Sequence, residues 1–140
     1  MRHKTSSFFI LLSMVLGLSG CNSGPKVEWQ KFDEKIFNEA MLSKKPTLVY
    51  FYAAWCGACR QLQATTFHDS RVIASLEKWN RLKADMSFRE NKMIYVRQQR
   101  FKVLGLPTLI WYSSTGRELF RKVGWISEKE FVEMTERVIS

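Results

Sequence analysis

Along the chain the spacing of apolar residues changes several times, and each change marks an element. "VEWQKF" (residues 27–32) reads as a short strand. Asp33 can cap a helix that carries Ile36, Phe37, Ala40 and Met41 on one face. "SKKP" ends that helix, because Pro46 cannot continue it. "TLVYFYAA" (47–54) is apolar on both alternating faces, the pattern of a central strand covered on both sides. A helix should then begin at or next to Cys56 and run through Leu62 toward Thr66, followed by a second helical stretch from Ser70 to Trp79. "RLKADM" (81–86) reads as a strand and "RENKMIYVRQQRF" (89–101) as a helix. "PTLIWYSS" and "ELFRKVGW" flank "STG" and predict a hairpin. Ser127 and Glu130 form a capping box, and Phe131, Met134, Val138 and Ile139 give the last helix an apolar face. Strands that alternate with helices and close on a hairpin predict an α/β fold with a central mixed sheet flanked by helices.

The first residues follow another pattern. Arg2, His3 and Lys4 precede an apolar run of eleven, "FFILLSMVLGL" (8–18), too short to span a bilayer. A basic start, a short apolar core and small residues beyond it describe a secretory signal peptide. The segment ends in "LSGC", which resembles the bacterial lipobox, where the cysteine is lipidated and becomes the new N-terminus. The division expected is a lipoprotein signal peptide over 1–20, a lipidated Cys21 and linker over 21–27, and one domain over 28–140. This places the domain outside the cytoplasm, lipid-anchored to a membrane, where disulfides persist. Seven residue steps from Cys21 to Glu28 reach at most roughly 25 Å, so the domain is held close to the bilayer.

Composition adds little beyond this. The formal charge is +9 over 140 residues, and removing residues 1–20 takes away Arg2 and Lys4 and no acid, which leaves +7. A basic exported lipoprotein is not expected to bind nucleic acid. The basic residues Arg89, Lys92, Arg97, Arg100 and Lys102 lie in or beside the helix over 89–101. They form either a solvated face or an attraction for anionic lipid or an acidic partner.

The chemistry is concentrated in "WCGAC" (55–59), with Cys56 and Cys59 three apart at the start of a helix. A structural zinc site needs four protein ligands, and beyond the signal peptide there is no second cysteine pair and only His68. Covalent haem needs a histidine directly after the second cysteine, where Arg60 stands. A structural staple stays open, although so short a loop constrains the unfolded chain little. Redox exchange fits the position better. Free N–H groups and the helix dipole favour a thiolate at Cys56, and Cys59, nearly one turn on and more buried, can resolve a mixed disulfide.

"WCGAC" after an apolar strand, with "GLPT" (105–108) some fifty residues later, resembles the thioredoxin fold. Within that family "YAAWCGACRQLQATTF" and "VLGLPTLI" are similar to the C-terminal periplasmic domain of the thiol:disulfide interchange protein DsbD, here as a stand-alone lipoprotein. The resemblance covers roughly residues 28–138. It implies that Cys56 is the exposed nucleophile, Cys59 the resolving thiol and Pro107 a cis-proline against the pair. It implies docking of protein thiols and disulfides on Trp55, Gly57, Ala58 and Leu106, the other tryptophans being mostly core. It further implies a monomer with no cofactor beyond the redox-active Cys56–Cys59 couple. Electrons would come from a membrane thiol reductase. Ala58 brings no charge or donor to the pair, which favours a reductase or electron relay over an oxidase or isomerase, while Arg60 pulls slightly the other way. A non-catalytic docking lipoprotein is the alternative of another class.

One departure stands out. The related domain carries acids six residues before and seven residues after the first cysteine; Tyr50 and Gln63 stand here. Cys59 is therefore expected to have no buried carboxylate partner from these positions, and to lose its proton to water, the substrate or the departing thiolate.

Overall fold

The computed structural model describes residues 24–88 and 92–138. The signal segment with Cys21, Arg89 and Ile139 lie outside the described residues. Five strands form one mixed sheet: β1 (Gln30–Lys31), β2 (Thr47–Tyr52), β3 (Asn80–Asp85), β4 (Thr108–Tyr112) and β5 (Glu118–Val123). The order across the sheet is β1-β3-β2-β4-β5, with β1, β3 and β2 parallel and β4 and β5 antiparallel to their neighbours. Five helices complete the fold: α1 (Glu34–Leu42), α2 (Gly57–Ala64), α3 (Ser70–Ser75), α4 (Lys92–Phe101) and α5 (Glu128–Glu136). A short 3-10 turn, Thr66–His68, joins α2 to α3. The α/β class and the mixed sheet between helices are those expected.

The unbroken apolar run becomes β2 because both its faces are covered. Val49 and Phe51 join Phe37 and Ala40 of α1 and Ile94 and Phe101 of α4 in one cluster. Leu48 and Tyr50 face the other way, into a cluster with Leu62 of α2, Val72 of α3 and Phe131 of α5. Burying each of the larger aliphatic and phenylalanine side chains among these is worth about 1.5–3 kcal/mol, and β2 contributes to both clusters. Asp33 caps α1 through Lys35 N–H at 2.9 Å, and Ser127 caps α5 through Glu130 N–H at 3.3 Å.

Three boundaries differ from the pattern. The first strand shrinks to Gln30–Lys31, because Val27 N–H instead donates to the Phe67 carbonyl at 2.8 Å. The helix begun at Ser70 stops at Ser75, and Leu76 and Trp79 turn into the core. The hairpin strands are shorter than expected, with Gly116 at φ +78° supplying the left-handed turn between them. Among the described residues, no helix is long and apolar enough to cross a membrane.

The basic face over 89–102 changes character where it is described. Arg100 pairs with Glu34 and lies over the rings of Phe37 and Phe101 at 5.4 and 5.3 Å. It therefore clasps α4 to α1 instead of offering a free charge, while Lys102 is exposed.

Candidate active site at the start of the second helix

β2 ends at Tyr52 and delivers the chain to the first turn of α2, so the sheet's central, buried strand positions the cysteine pair. Cys56 is the N-cap of α2, with an extended backbone at φ −83°, ψ 111°. Its Sγ accepts the Cys59 N–H at 3.1 Å. A helix start leaves N–H groups without intrahelical acceptors, and an N-cap acceptor normally satisfies one of them. Here sulfur fills that role, in a place where a thiolate would be stabilised by the same donor and by the helix dipole. Cys56 and Cys59 form a disulfide, with Cα atoms 5.2 Å apart.

Cys56 was expected to be exposed, yet it is 7% accessible against 0% for Cys59. What separates the two is the space each meets. Cys56 lines a groove of about 720 Å³, and Cys59 does not. Trp55, Gly57, Ala58 and Leu106 line the same groove. The docking residues singled out in the sequence thus converge on one surface beside one sulfur. Leu106 also packs on the small cluster of Ala53, Cys56 and Cys59. The Leu106–Pro107 bond is cis, and the buried Pro107 carbonyl accepts the Gly124 N–H at 2.8 Å, which ties this turn to the end of β5. Gly105 stands where a Cβ would lie 3.1 Å from a Val123 methyl, so close packing of the turn on β5 favours glycine.

Two residues that sequence reasoning passed over hold the motif loop. Ala54 N–H donates to Ser87 Oγ at 2.8 Å, and Trp55 Nε1 donates to the Ser87 carbonyl at 3.0 Å. Ser87 in turn donates its N–H and its hydroxyl to Asp85 Oδ1. Partial burial works to raise the Asp85 carboxyl, but the Ser87 hydrogen bonds outweigh it, and the carboxylate is held below its ordinary range. Trp55 keeps about half its surface open. Arg60 reaches back to the Ala54 carbonyl at 2.9 Å, so its guanidinium braces the loop. Trp125 is also exposed, at 41%, which adds a second tryptophan to the surface where only Trp55 was expected. The groove's far wall comes from Met86, Ile94, Val103 and Leu104, which no spacing rule brings next to a cysteine pair.

Behind the pair, Tyr50 is fully buried between Trp29 and Phe67, with ring centroids 5.4 and 5.0 Å away. Its hydroxyl donates to the Cys59 carbonyl at 3.4 Å and accepts from Gln63 Nε2 at 3.2 Å. Burial pushes the Tyr50 phenol well above its ordinary value, so it stays neutral at every physiological pH. Among the described residues no group of three or more His, Cys, Asp or Glu side chains could hold a metal ion.

A buried cysteine pair at a helix start, on a mixed five-stranded sheet and beside a cis X-Pro turn, can exchange disulfides. A sequence model of the thioredoxin-like domain matches residues 34–139. The chain belongs to the thioredoxin-like family. Over 101 residues, 71% of its length, it is 35% identical to the thiol:disulfide interchange protein DsbD of Vibrio vulnificus (strain CMCP6). It is 31% identical over 103 residues to DsbD of Campylobacter jejuni (strain RM1221). The matched stretch spans only 17% and 18% of those two relatives. Among solved structures, the reduced C-terminal domain of DsbD from Neisseria meningitidis superposes with a TM-score of 0.64 at 20% identity, over 78% of this chain and 99% of that one. A putative disulphide-isomerase from Bacteroides thetaiotaomicron gives 0.66 at 23% identity, over 84% and 96%. Both structural likenesses speak for the fold. Together with the sequence relatives, they make this a thioredoxin-like redox domain related to DsbD, with a disulfide-forming Cys56–Cys59 pair.

Proposed function

We propose that the protein is an extracytoplasmic thiol:disulfide reductase or electron relay, anchored to a membrane by lipid on Cys21. The observation that carries this reading is the geometry of the pair. Cys56 meets the open groove and accepts a helix N–H, while Cys59 sits directly behind it. In the reduced protein the Cys56 thiolate attacks a sulfur of the substrate disulfide. A Cys56–substrate bond forms, and the substrate's other sulfur leaves as thiolate. The Cys59 thiolate then attacks Cys56 Sγ, which restores the Cys56–Cys59 bond and expels the second substrate thiolate. Two electrons pass to the substrate, and a protein dithiol must return them to the pair. A membrane thiol reductase fits that need, because the chain carries no flavin or nicotinamide fingerprint and its relatives are thiol:disulfide interchange proteins. Substrate backbone would pair against the Pro107 turn, with Trp55, Gly57, Ala58 and Leu106 forming the contact surface of a monomer.

The direction rests on Ala58, which adds no charge or donor to the thiolate; Arg60, whose guanidinium reaches the Ala54 carbonyl and lies beside Gly57, pulls slightly the other way. A less stabilised thiolate makes a weaker oxidant. Reduction of insulin by dithiothreitol should be accelerated by this protein and not by its Cys56→Ser variant; no acceleration by either would leave only a docking module. For the anchor, Cys21→Ser should abolish incorporation of labelled lipid and free the domain from membranes, whereas unchanged lipid labelling would remove Cys21 from the account.

A further inference from the structure

Lys83 lies in β3 opposite Tyr50 of β2, on the face of the sheet that carries α2. Its Nζ donates to Gln63 Oε1 at 3.4 Å and stands 4.2 Å from the centre of the Tyr52 ring. Gln63 passes its own amide hydrogen to Tyr50, and Tyr50 passes its hydroxyl hydrogen to the Cys59 carbonyl. Three donors therefore run in series, all toward Cys59, from a partly buried ammonium to the peptide of the resolving cysteine. Such a chain cannot take a proton from Cys59. An amide is not basic, and the phenol's hydrogen is already committed to the carbonyl. What the chain can do is fix that turn of α2 and hold a positive charge at its far end, linked through Gln63 and Tyr50 to the Cys59 carbonyl. An opposite charge in a partly desolvated site favours the ionised form of its neighbour.

We propose that Lys83 is a positioning residue for the resolving thiol, using the Gln63–Tyr50 chain and its own charge to favour the Cys59 thiolate where a buried base is missing. This rests on the disulfide-exchange reading given above. The other titratable groups facing this region are Tyr50 and Tyr52 of β2, Asp85 of β3 and Lys26 of the segment before β1. Tyr50 and Tyr52 are both pushed up and stay neutral. Asp85 is already occupied by Ser87 and the Tyr52 hydroxyl. Partial burial lowers Lys83 from its ordinary value, with Asp85 opposing. The device therefore loses its charge first at alkaline pH.

The test uses the full-length reduced chain in a Cys56→Ser background. Iodoacetamide labelling of the Cys59 peptide is followed by mass spectrometry across pH. Lys83→Met should move the midpoint of Cys59 labelling upward by roughly half a unit or more, and Lys83→Arg should restore it. In the chain with both cysteines, Lys83→Met should slow decay of the mixed disulfide about twofold or more at pH 7, with the rates converging at high pH. Because nucleophilicity falls with thiol pKa, only about half the shift reaches the rate. An unchanged labelling midpoint would overturn the proposal, as would a decay rate lowered by one factor at every pH, which marks a purely structural role. Failure of the wild-type chain to form any mixed disulfide would instead count against the disulfide-exchange reading, while the labelling midpoint still decides the role of Lys83.

Discussion

Replacing Cys59 with serine is expected to turn the protein into a covalent trap. Cys56 lines the groove and retains its place at the helix start, so it can still attack a substrate disulfide. The resolving attack is lost. Cys59 stands at hydrogen-bond distance from Cys56 Sγ through its own N–H, with the Cα atoms 5.2 Å apart. That placement gives the intramolecular thiol an effective concentration that millimolar thiols in solution cannot approach, so release should slow by at least about a thousandfold. Non-reducing gels followed by peptide mass mapping should show partners joined to Cys56. Adducts on Cys59 in the converse Cys56→Ser chain, at wild-type yield, would reverse the assignment.

A second large effect is expected on stability. Tyr50→Asp removes a fully buried ring packed against Trp29, Tyr52 and Phe67 and puts a carboxylate in its place. Losing a buried aromatic side chain costs about 3–5 kcal/mol, and a poorly solvated carboxylate adds to that cost. Tyr50→Phe keeps the ring and loses only the hydroxyl that joins Gln63 to Cys59, a change of about 1 kcal/mol. Urea unfolding of the oxidised chains should show the two variants far apart. Equal midpoints would mean that Tyr50 is not a core residue. A carboxylate at this position is therefore not a free substitution in this chain, because the surrounding aromatic cage is built for a ring.

These effects come from residues whose roles differ in how plainly the sequence displays them. β2 was legible because an eight-residue apolar run bounded by Pro46 and Trp55 has few other fates. The cysteine pair and the "GLPT" turn were legible as a spacing, and the fold brings Leu106 onto the Cys56–Cys59 cluster. Helices α1 and α5 followed from caps that the structure retains at Asp33 and Ser127. Where the reading fell short, tertiary contacts had overridden local pattern. Leu76 and Trp79 leave the helical path because the core accepts them, and Val27 bonds to Phe67 instead of extending the sheet. Ser87 braces Trp55 from 32 residues away, which no local signal announces. Lys83 reads as an ordinary polar position of a strand until the register sets it opposite Tyr50. Arg100 looked like part of a basic face until Glu34 was found beside it.

The central claim is that this pair gives electrons away. Equilibration of the full-length protein with graded ratios of reduced to oxidised glutathione, followed by alkylation and mass measurement of the peptide holding Cys56 and Cys59, tests it most directly. Ala58 adds nothing to the Cys56 thiolate, so the midpoint should fall toward the reducing end of the family, near about −270 mV, with the pair largely disulfide in all but strongly reducing mixtures. A midpoint near about −120 mV, where strongly oxidising relatives of this fold lie, would contradict the reductase account and make the protein a donor of disulfides.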